Sequence, residues 1–135
     1  MRRVVLESPF GADPNKFIPY ARAAVADSLK LGEAPMAMHL LYTQPGVLNG
    51  RVPADRAKGM NAAFAWYAVA EAVVVYRDFG ISNGMQAGID LGIGYGLPIE
   101  YRSLRGKGVL PDVFNPFPEE IGDLGRWLDE IERIG

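Results

Sequence analysis

The chain contains no cysteine, which removes disulfides, thiol nucleophiles and thiolate zinc sites from consideration. It has a single histidine, His39, and no carboxylate cluster beside it, so no metal centre is expected. No apolar run approaches the ~18 residues needed to span a membrane, and no block of like charge interrupts a net charge of −2. A general nucleic-acid or anionic-membrane binder needs a concentrated basic face. Here only Arg2-Arg3 and the stretch from Arg102 to Lys107 are locally basic. Neither nucleic acid nor membrane is therefore expected as a partner. The chain also lacks a Walker loop, a Ser-His-Asp order, a His-Glu-x-x-His motif, internal repeats and low-complexity tracts. Met-Arg-Arg runs straight into a strand-like segment without a signal-peptide core, which sets a cytoplasmic protein as the expectation.

What is present describes a folded domain. Of 135 residues, 49% are hydrophobic and 22% charged, enough for one sizeable core. Short strand-like runs lie at residues 4–6, which is β-branched at its start, 34–41, 72–76 and 98–101. Residues 15–31, 54–69 and 82–94 read as helices. Phe17, Ala21, Ala24, Val25, Ser28 and Leu29 share one face of the first. The segment 43–53 is rich in Gly, Pro and Asn and reads as a loop. Alternating strands and helices predict an α/β fold: a Rossmann-like (flavodoxin-like) parallel sheet flanked by helices. That domain covers residues 1–104. Residues 105–135 read as a linker followed by a C-terminal amphipathic helix over 119–134, with Ile121, Leu124, Leu128 and Ile131 as its apolar stripe.

In such sheets ligands sit beyond the carboxyl ends of the strands. Residues 7–11, 39–42, 77–84 and 100–102 converge there. The richest stretch is 70–90, where the apolar run of Val73 to Tyr76 leads through a short loop to Ser82-Asn83-Gly84-Met85 and a new helix. Free N–H groups at such a helix start form an anion site, with phosphate as the usual guest. Arg77 and Asp78, just past the buried strand, and Arg102, past the last strand, are candidate ligand contacts. His39, at the predicted end of strand two, is a candidate contact or proton donor, with a structural role as the alternative. Phe10, Tyr20, Tyr42 and Tyr76 are candidates for stacking on a base, although aromatics of this kind are more often core. Gly92-Ile93-Gly94-Tyr95-Gly96 ends a helix rather than opening one, so it is not a dinucleotide fingerprint, and no cofactor is expected. Gly84, Gly88, Gly92 and Gly96 recur every fourth residue. Tight packing on the sheet is the first reading of that face, close subunit contact the second and an enlarged pocket the third.

The order of strand, Ser8-Pro9-Phe10 loop, helix, strand, long loop and helix, then Ala-Glu-Ala-Val-Val-Val and Ser-Asn-Gly-Met, resembles the nucleoside 2-deoxyribosyltransferase-like superfamily. It is most similar to the small phage and actinobacterial branch, over about residues 3–102. The resemblance implies action on N-glycosidic bonds of nucleosides or nucleotides, and a dimer or higher homo-oligomer. It implies that Ser8-Pro9-Phe10 lines the base or phosphate pocket, that Glu71 is the assisting acid, and that Ser82, with Asn83 and Gly84, holds phosphate or sugar. Six residues after Ser82, where the resemblance implies an attacking Glu, stands Gly88. Asp90 lies about 200° round the helix from Gly88 and should face away. Glu71 and Glu100 are the remaining carboxylates near the strand ends.

The expectation is a protein that binds a nucleotide or a nucleotide-derived signal and sequesters it. The alternative is an N-glycosidase or deoxyribosyltransferase using Glu71 and Asp90 as catalytic carboxylates. A structural or inhibitory phage-type assembly is a third reading.

Overall fold

The computed structural model describes residues 1–10 and 14–107. The expected helix over 119–134 lies outside the described residues. Four parallel strands form one sheet: β1 (Arg2–Glu7), β2 (Glu33–Met36), β3 (Ala72–Tyr76) and β4 (Ile99–Arg102), in the order β2-β1-β3-β4. β1 pairs with β2 from Arg2↔Glu33 to Val5↔Met36 and with β3 from Val4↔Ala72 to Glu7↔Val75. β4 closes the other edge from Val73↔Ile99 to Tyr76↔Arg102. The α/β class and the parallel flavodoxin-like order follow the sequence expectation.

All five residues of β3 are buried, because the strand is covered on both faces, which is why it reads as an uninterrupted apolar run. The two-residue period sorts the strands' side chains between the faces. Val4, Leu6, Ala72, Val74 and Tyr76 join Tyr20, Ala23 and Ala24 of helix α1 (Pro14–Lys30) in one core cluster. Val5, Val73 and Val75 face the other way, toward Tyr67, Met85 and Ile89. That second layer is made by α3 (Pro53–Ala65), a 3₁₀ turn (Trp66–Val69) and α4 (Asn83–Gly94).

Three local expectations are corrected. The second strand stops at Met36, and Met38–Leu41 forms a single helical turn, α2. β2 is an edge strand with only four residues to pair. Curling the chain there buries Ala37 and Met38 and lets Leu40 pack on the core. The helix expected over 54–69 tightens into the 3₁₀ turn after Ala65, which carries Tyr67 beneath the sheet with 1% exposure. On α1 the expected face is buried at Ala21, Ala24 and Ser28, with Tyr20 as its large core side chain, while Leu29 is exposed.

A polar network ties the four strands together on the α1 face. Arg102 donates to both oxygens of Glu33 at 2.7 and 2.8 Å and to the Tyr76 hydroxyl at 3.2 Å. Arg2 bridges Glu33 and Glu100 at 2.6 and 2.7 Å. Ser28 donates to Glu33 at 2.8 Å, and Tyr76 donates to Asp27 at 2.7 Å. Among the described residues no helix is long and apolar enough to cross a membrane.

Candidate functional site at the carboxyl edge of the sheet

The chain passes from β1 to β2 on one side and from β2 across to β3 on the other, so the topological switch point lies between the carboxyl ends of β1 and β3. Crevices at such points are where open α/β sheets take ligands. The residues there come from the end of β1, the start of α2 and the loop and first turns of α4.

Ser8, directly after β1, is buried. Its Oγ hydrogen-bonds His39 Nε2 at 2.8 Å. The Phe10 ring meets the imidazole edge-on, centroids 5.6 Å apart, and Pro9 is buried beside them. Burial without a charged partner pulls the His39 pKa down to about 4, so the imidazole is neutral at physiological pH. Ser8, Pro9, Phe10 and His39, expected near a ligand, are thus brought together. His39 sits in the turn of α2 rather than on a strand.

Ser82 is the N-cap of α4: its hydroxyl accepts from Met85 N–H at 3.3 Å, and its own N–H donates to Met85 Sδ at 3.4 Å. Ser82, Asn83 and Gly84 are exposed, so the first turn opens to solvent. Met85 is buried in the core and serves packing rather than a ligand.

Other expected contacts are spent elsewhere. The Asp78 carboxylate accepts from the Tyr20 hydroxyl at 2.6 Å, from Leu104 N–H at 2.9 Å and from Ser103. Those bonds hold its pKa down against burial and fasten the loop after β4. Arg102 is committed to Glu33. Arg77 is exposed and lies over the Tyr101 ring at 5.0 Å. Glu71 stands before β3, not after it. Five strand residues, about 16 Å, separate it from the carboxyl edge, and it binds Arg3 N–H at 2.7 Å at the opposite edge. It does not share a site with Ser82. Asp90 is exposed and paired with Gln86 at 2.9 Å, facing away from Gly88 as its angular position requires.

The carboxylate that does reach this edge is Glu7, the last residue of β1. It shares the α4 face with Val5, by alternation. Tyr67 donates a hydrogen bond to its Oε1. Among the described residues that phenol is its one hydrogen-bond partner. Among the described residues no fully buried side-chain oxygen goes unpaired, so the unbonded Oε2 keeps a little exposure within an otherwise desolvated carboxyl. Desolvation pushes the Glu7 pKa up to about 7, the Tyr67 bond acting against it. The phenol is itself pushed well above its ordinary range by burial and the facing carboxylate, so it stays protonated.

Opposite Glu7 lies Gly88. A Cβ built there would overlap Glu7 Oε1 and come within 2.5 Å of the Tyr67 hydroxyl. The carboxylate from β1 therefore fills the space a residue-88 side chain would occupy. Gly92, one turn on, packs on the sheet in the same way, its virtual Cβ 2.6 Å from Val73. Gly84 and Gly96 have nothing within 4 Å. Of the glycine face, only its middle two members make close contact.

Glu7 and Tyr67 were not singled out as site residues from sequence. Glu7 carried a readable signal, a charged residue just past a buried strand, the same logic applied to Arg77 and Asp78. Tyr67 carried none, since an aromatic on an amphipathic helix reads as core.

A family profile matches residues 2–102, that of the Domain of unknown function (DUF7768) family. No curated protein and no solved structure matches the chain.

Proposed function

The chain belongs to the DUF7768 family, and from the carboxyl edge of its sheet we propose that it binds a nucleotide or a nucleotide-derived small molecule at the switch point between β1 and β3. The observation that carries this reading is the juxtaposition of an open helix start with a carboxyl that has a single hydrogen-bond partner among the described residues. α4 leads away from Ser82 with the N–H groups of Asn83 and Gly84 unpaired among the described residues, and about 6 Å further along its axis Gly88 faces Glu7. A phosphate on the first turn of α4 is stabilised by those N–H groups and by the helix dipole. Its sugar then lies toward Glu7, and the Ser8–His39 pair offers a neutral donor and acceptor for the base. The resemblance to deoxyribosyltransferase-like proteins agrees with this class of ligand and rests on the same stretches, Ser8-Pro9-Phe10 and Ser82-Asn83-Gly84.

Thermal shift and calorimetry against nucleoside 5′-monophosphates, cyclic nucleotides and ADP-ribose-type compounds test the reading. A ligand at 100 times its Kd stabilises the fold by about 2.7 kcal/mol. No shift with any of them overturns it.

Association of copies is a second reading, favoured by a separate observation. An apolar hollow of about 520 Å³ beside β2 and the 3₁₀ turn is lined by Leu29, Pro35, Met36, Trp66 and Val69, of which Leu29, Trp66 and Val69 are exposed. A monomer in light scattering at micromolar concentration removes it.

A further inference from the structure

The sheet has two edges, and the protein ends them differently. β2 carries Pro35, and a proline within a sheet belongs on the outer side of an edge strand, where it denies a further strand its N–H. β4, Ile99-Glu100-Tyr101-Arg102, carries no proline, and no strand lies on its outer side among the described residues. Its bonds to β3 decide which of its backbone groups face out. Val73 N–H donates to the Pro98 carbonyl at 2.9 Å and Arg77 N–H to the Arg102 carbonyl at 3.1 Å, in the register that runs from Val73↔Ile99 to Tyr76↔Arg102. Glu100 and Arg102 therefore turn their backbone groups inward to β3. The N–H and C=O of Ile99 and Tyr101 point away from the sheet. The side chains alternate too. Glu100 and Arg102 lie on the α1 face, where Glu100 is held by Arg2 and Arg102 of its own chain. Tyr101 lies on the α4 face, 47% exposed, with Arg77 over its ring.

We propose that β4 pairs antiparallel with β4 of a second copy of this chain about a two-fold axis at Tyr101, joining two four-stranded sheets into one of eight strands. A two-fold contact sets the same patch against itself, so β4 must be complementary to its own reverse. Residues opposed in an antiparallel pair are either both bonded or both unbonded across it. An axis between two residues would set an outward-facing residue against an inward-facing one, so the axis passes through a residue. On Glu100 it sets Glu100 against Glu100, and on Arg102 it sets Arg102 against Arg102. Like charges directly opposite are destabilising. On Ile99 it leaves only Ile99 paired within the strand. On Tyr101 it sets Glu100 against Arg102 in both directions, as close, unbonded pairs of opposite charge. Tyr101 then faces itself, exchanges both backbone bonds with its copy, and brings two exposed aromatic rings side by side.

The two α1 helices fall on one side of such a sheet. The carboxyl edges of the two copies open in opposite directions, so neither switch point is covered by the other copy. The pairing stands independently of the nucleotide reading and uses the edge opposite to the apolar hollow beside β2.

The test uses the full chain, which has no cysteine of its own, so single cysteines report the contact. At the axis the two Cα atoms lie about 5.5 Å apart, within the span a disulfide bridges. Under mild oxidation Tyr101→Cys is expected to give a covalent dimer. Ile99→Cys and Glu100→Cys, two or more residues out of register with their own copies, lie beyond the roughly 7 Å limit and are expected to stay uncrosslinked. Light scattering of wild type at micromolar concentration should give a dimer, and Tyr101→Phe should keep it. Tyr101→Pro removes an outward N–H and no bond to β3. It should retain the wild-type circular dichroism spectrum and dimerise on the order of 10- to 100-fold more weakly, the effect of losing two hydrogen bonds. A monomeric wild type, a dimer as tight in Tyr101→Pro, or cross-linking at Glu100→Cys rather than Tyr101→Cys overturns the proposal. So does a dimer that Trp66→Glu abolishes and Tyr101→Pro does not, which would place association at the hollow beside β2.

Discussion

Glu33 opens β2 and Glu7 closes β1, two glutamates on neighbouring strands that the protein treats in opposite ways. Glu33 receives four hydrogen bonds, three of them from guanidinium groups, and Arg102 foremost pulls its pKa down to about 2. Glu7 receives one, and burial lifts it to about 7. The number and charge of the donors, rather than burial alone, decide whether a carboxylate becomes a fixed tie in the sheet or a group able to exchange a proton.

The largest effect should come from breaking the tie. Glu33→Gln leaves Arg102, its side chain 11% exposed, with Glu100 as its one charged partner among the described residues. Removing one member of a buried pair costs about 3–5 kcal/mol, measurable by urea unfolding at pH 7. The folded pKa lies below the unfolded value of about 4.5, so this stability is present above pH 4.5 and is lost as pH falls toward 2. The gap between wild type and variant should close in acid. A loss below 1 kcal/mol at pH 7 would place Glu33 with ordinary surface carboxylates.

Glu7 should respond with the opposite sign. Its folded pKa is raised, so the native state binds more protons than the unfolded chain between about pH 4.5 and 7. Stability falls as pH rises through that window. Glu7→Gln, which keeps an acceptor for Tyr67, should therefore stabilise the protein at pH 8 by up to about 3 kcal/mol, with the gain gone by pH 4. Unfolding curves of both proteins across pH 4–8 decide it. A destabilised Glu7→Gln at pH 8 would put Glu7 on the structural side of the comparison.

How far this contrast was legible depends on how local each signal was. β3 was readable because covering both faces leaves five consecutive buried residues, and Ser82 because an N-cap is a one-turn pattern. The turn of α2 was not. Met38-His39-Leu40-Leu41 buries its apolar residues as well in a strand as in a single helical turn, and only the four-residue edge pairing of β2 decides between them. Glu71 was assigned to the site through a resemblance, although a residue preceding a parallel strand belongs to the opposite edge. The apposition of Glu7 and Gly88 joins β1 to α4 across the length of the domain. Nothing in either local sequence announces it, and the missing side chain at Gly88 gains meaning only beside the carboxylate that fills its space.

That apposition gives a smaller, sharper effect. An interior glycine-to-alanine change in a helix ordinarily gains up to about 1 kcal/mol. At Gly88 the new methyl meets the Glu7 carboxylate and the Tyr67 hydroxyl, and overpacking of this kind costs about 1–3 kcal/mol. Gly88→Ala should therefore destabilise wild type, and cost less in a Glu7→Ala background, where only the Tyr67 hydroxyl remains to be moved aside. Thermal unfolding of the four proteins in a double-mutant cycle reads the coupling directly. Additive effects would mean that Glu7 does not occupy the place of the absent side chain.

The smallest effect separates two duties of Ser82, which caps α4 and, under the nucleotide reading, meets phosphate. Ser82→Ala removes the acceptor for Met85 N–H and should cost about 1 kcal/mol. Ser82→Gly should cost only a few tenths, because glycine is tolerated at an N-cap, yet it lacks the same hydroxyl. If Ser82 serves only the helix, nucleotide affinity measured by calorimetry stays near wild type in the glycine variant. If its hydroxyl meets the phosphate, affinity falls equally in both variants while stability falls mainly in one. Ser82 would then stand with Glu7, as a residue whose free valence is directed at a ligand, and apart from Glu33, whose valences are all used within the fold.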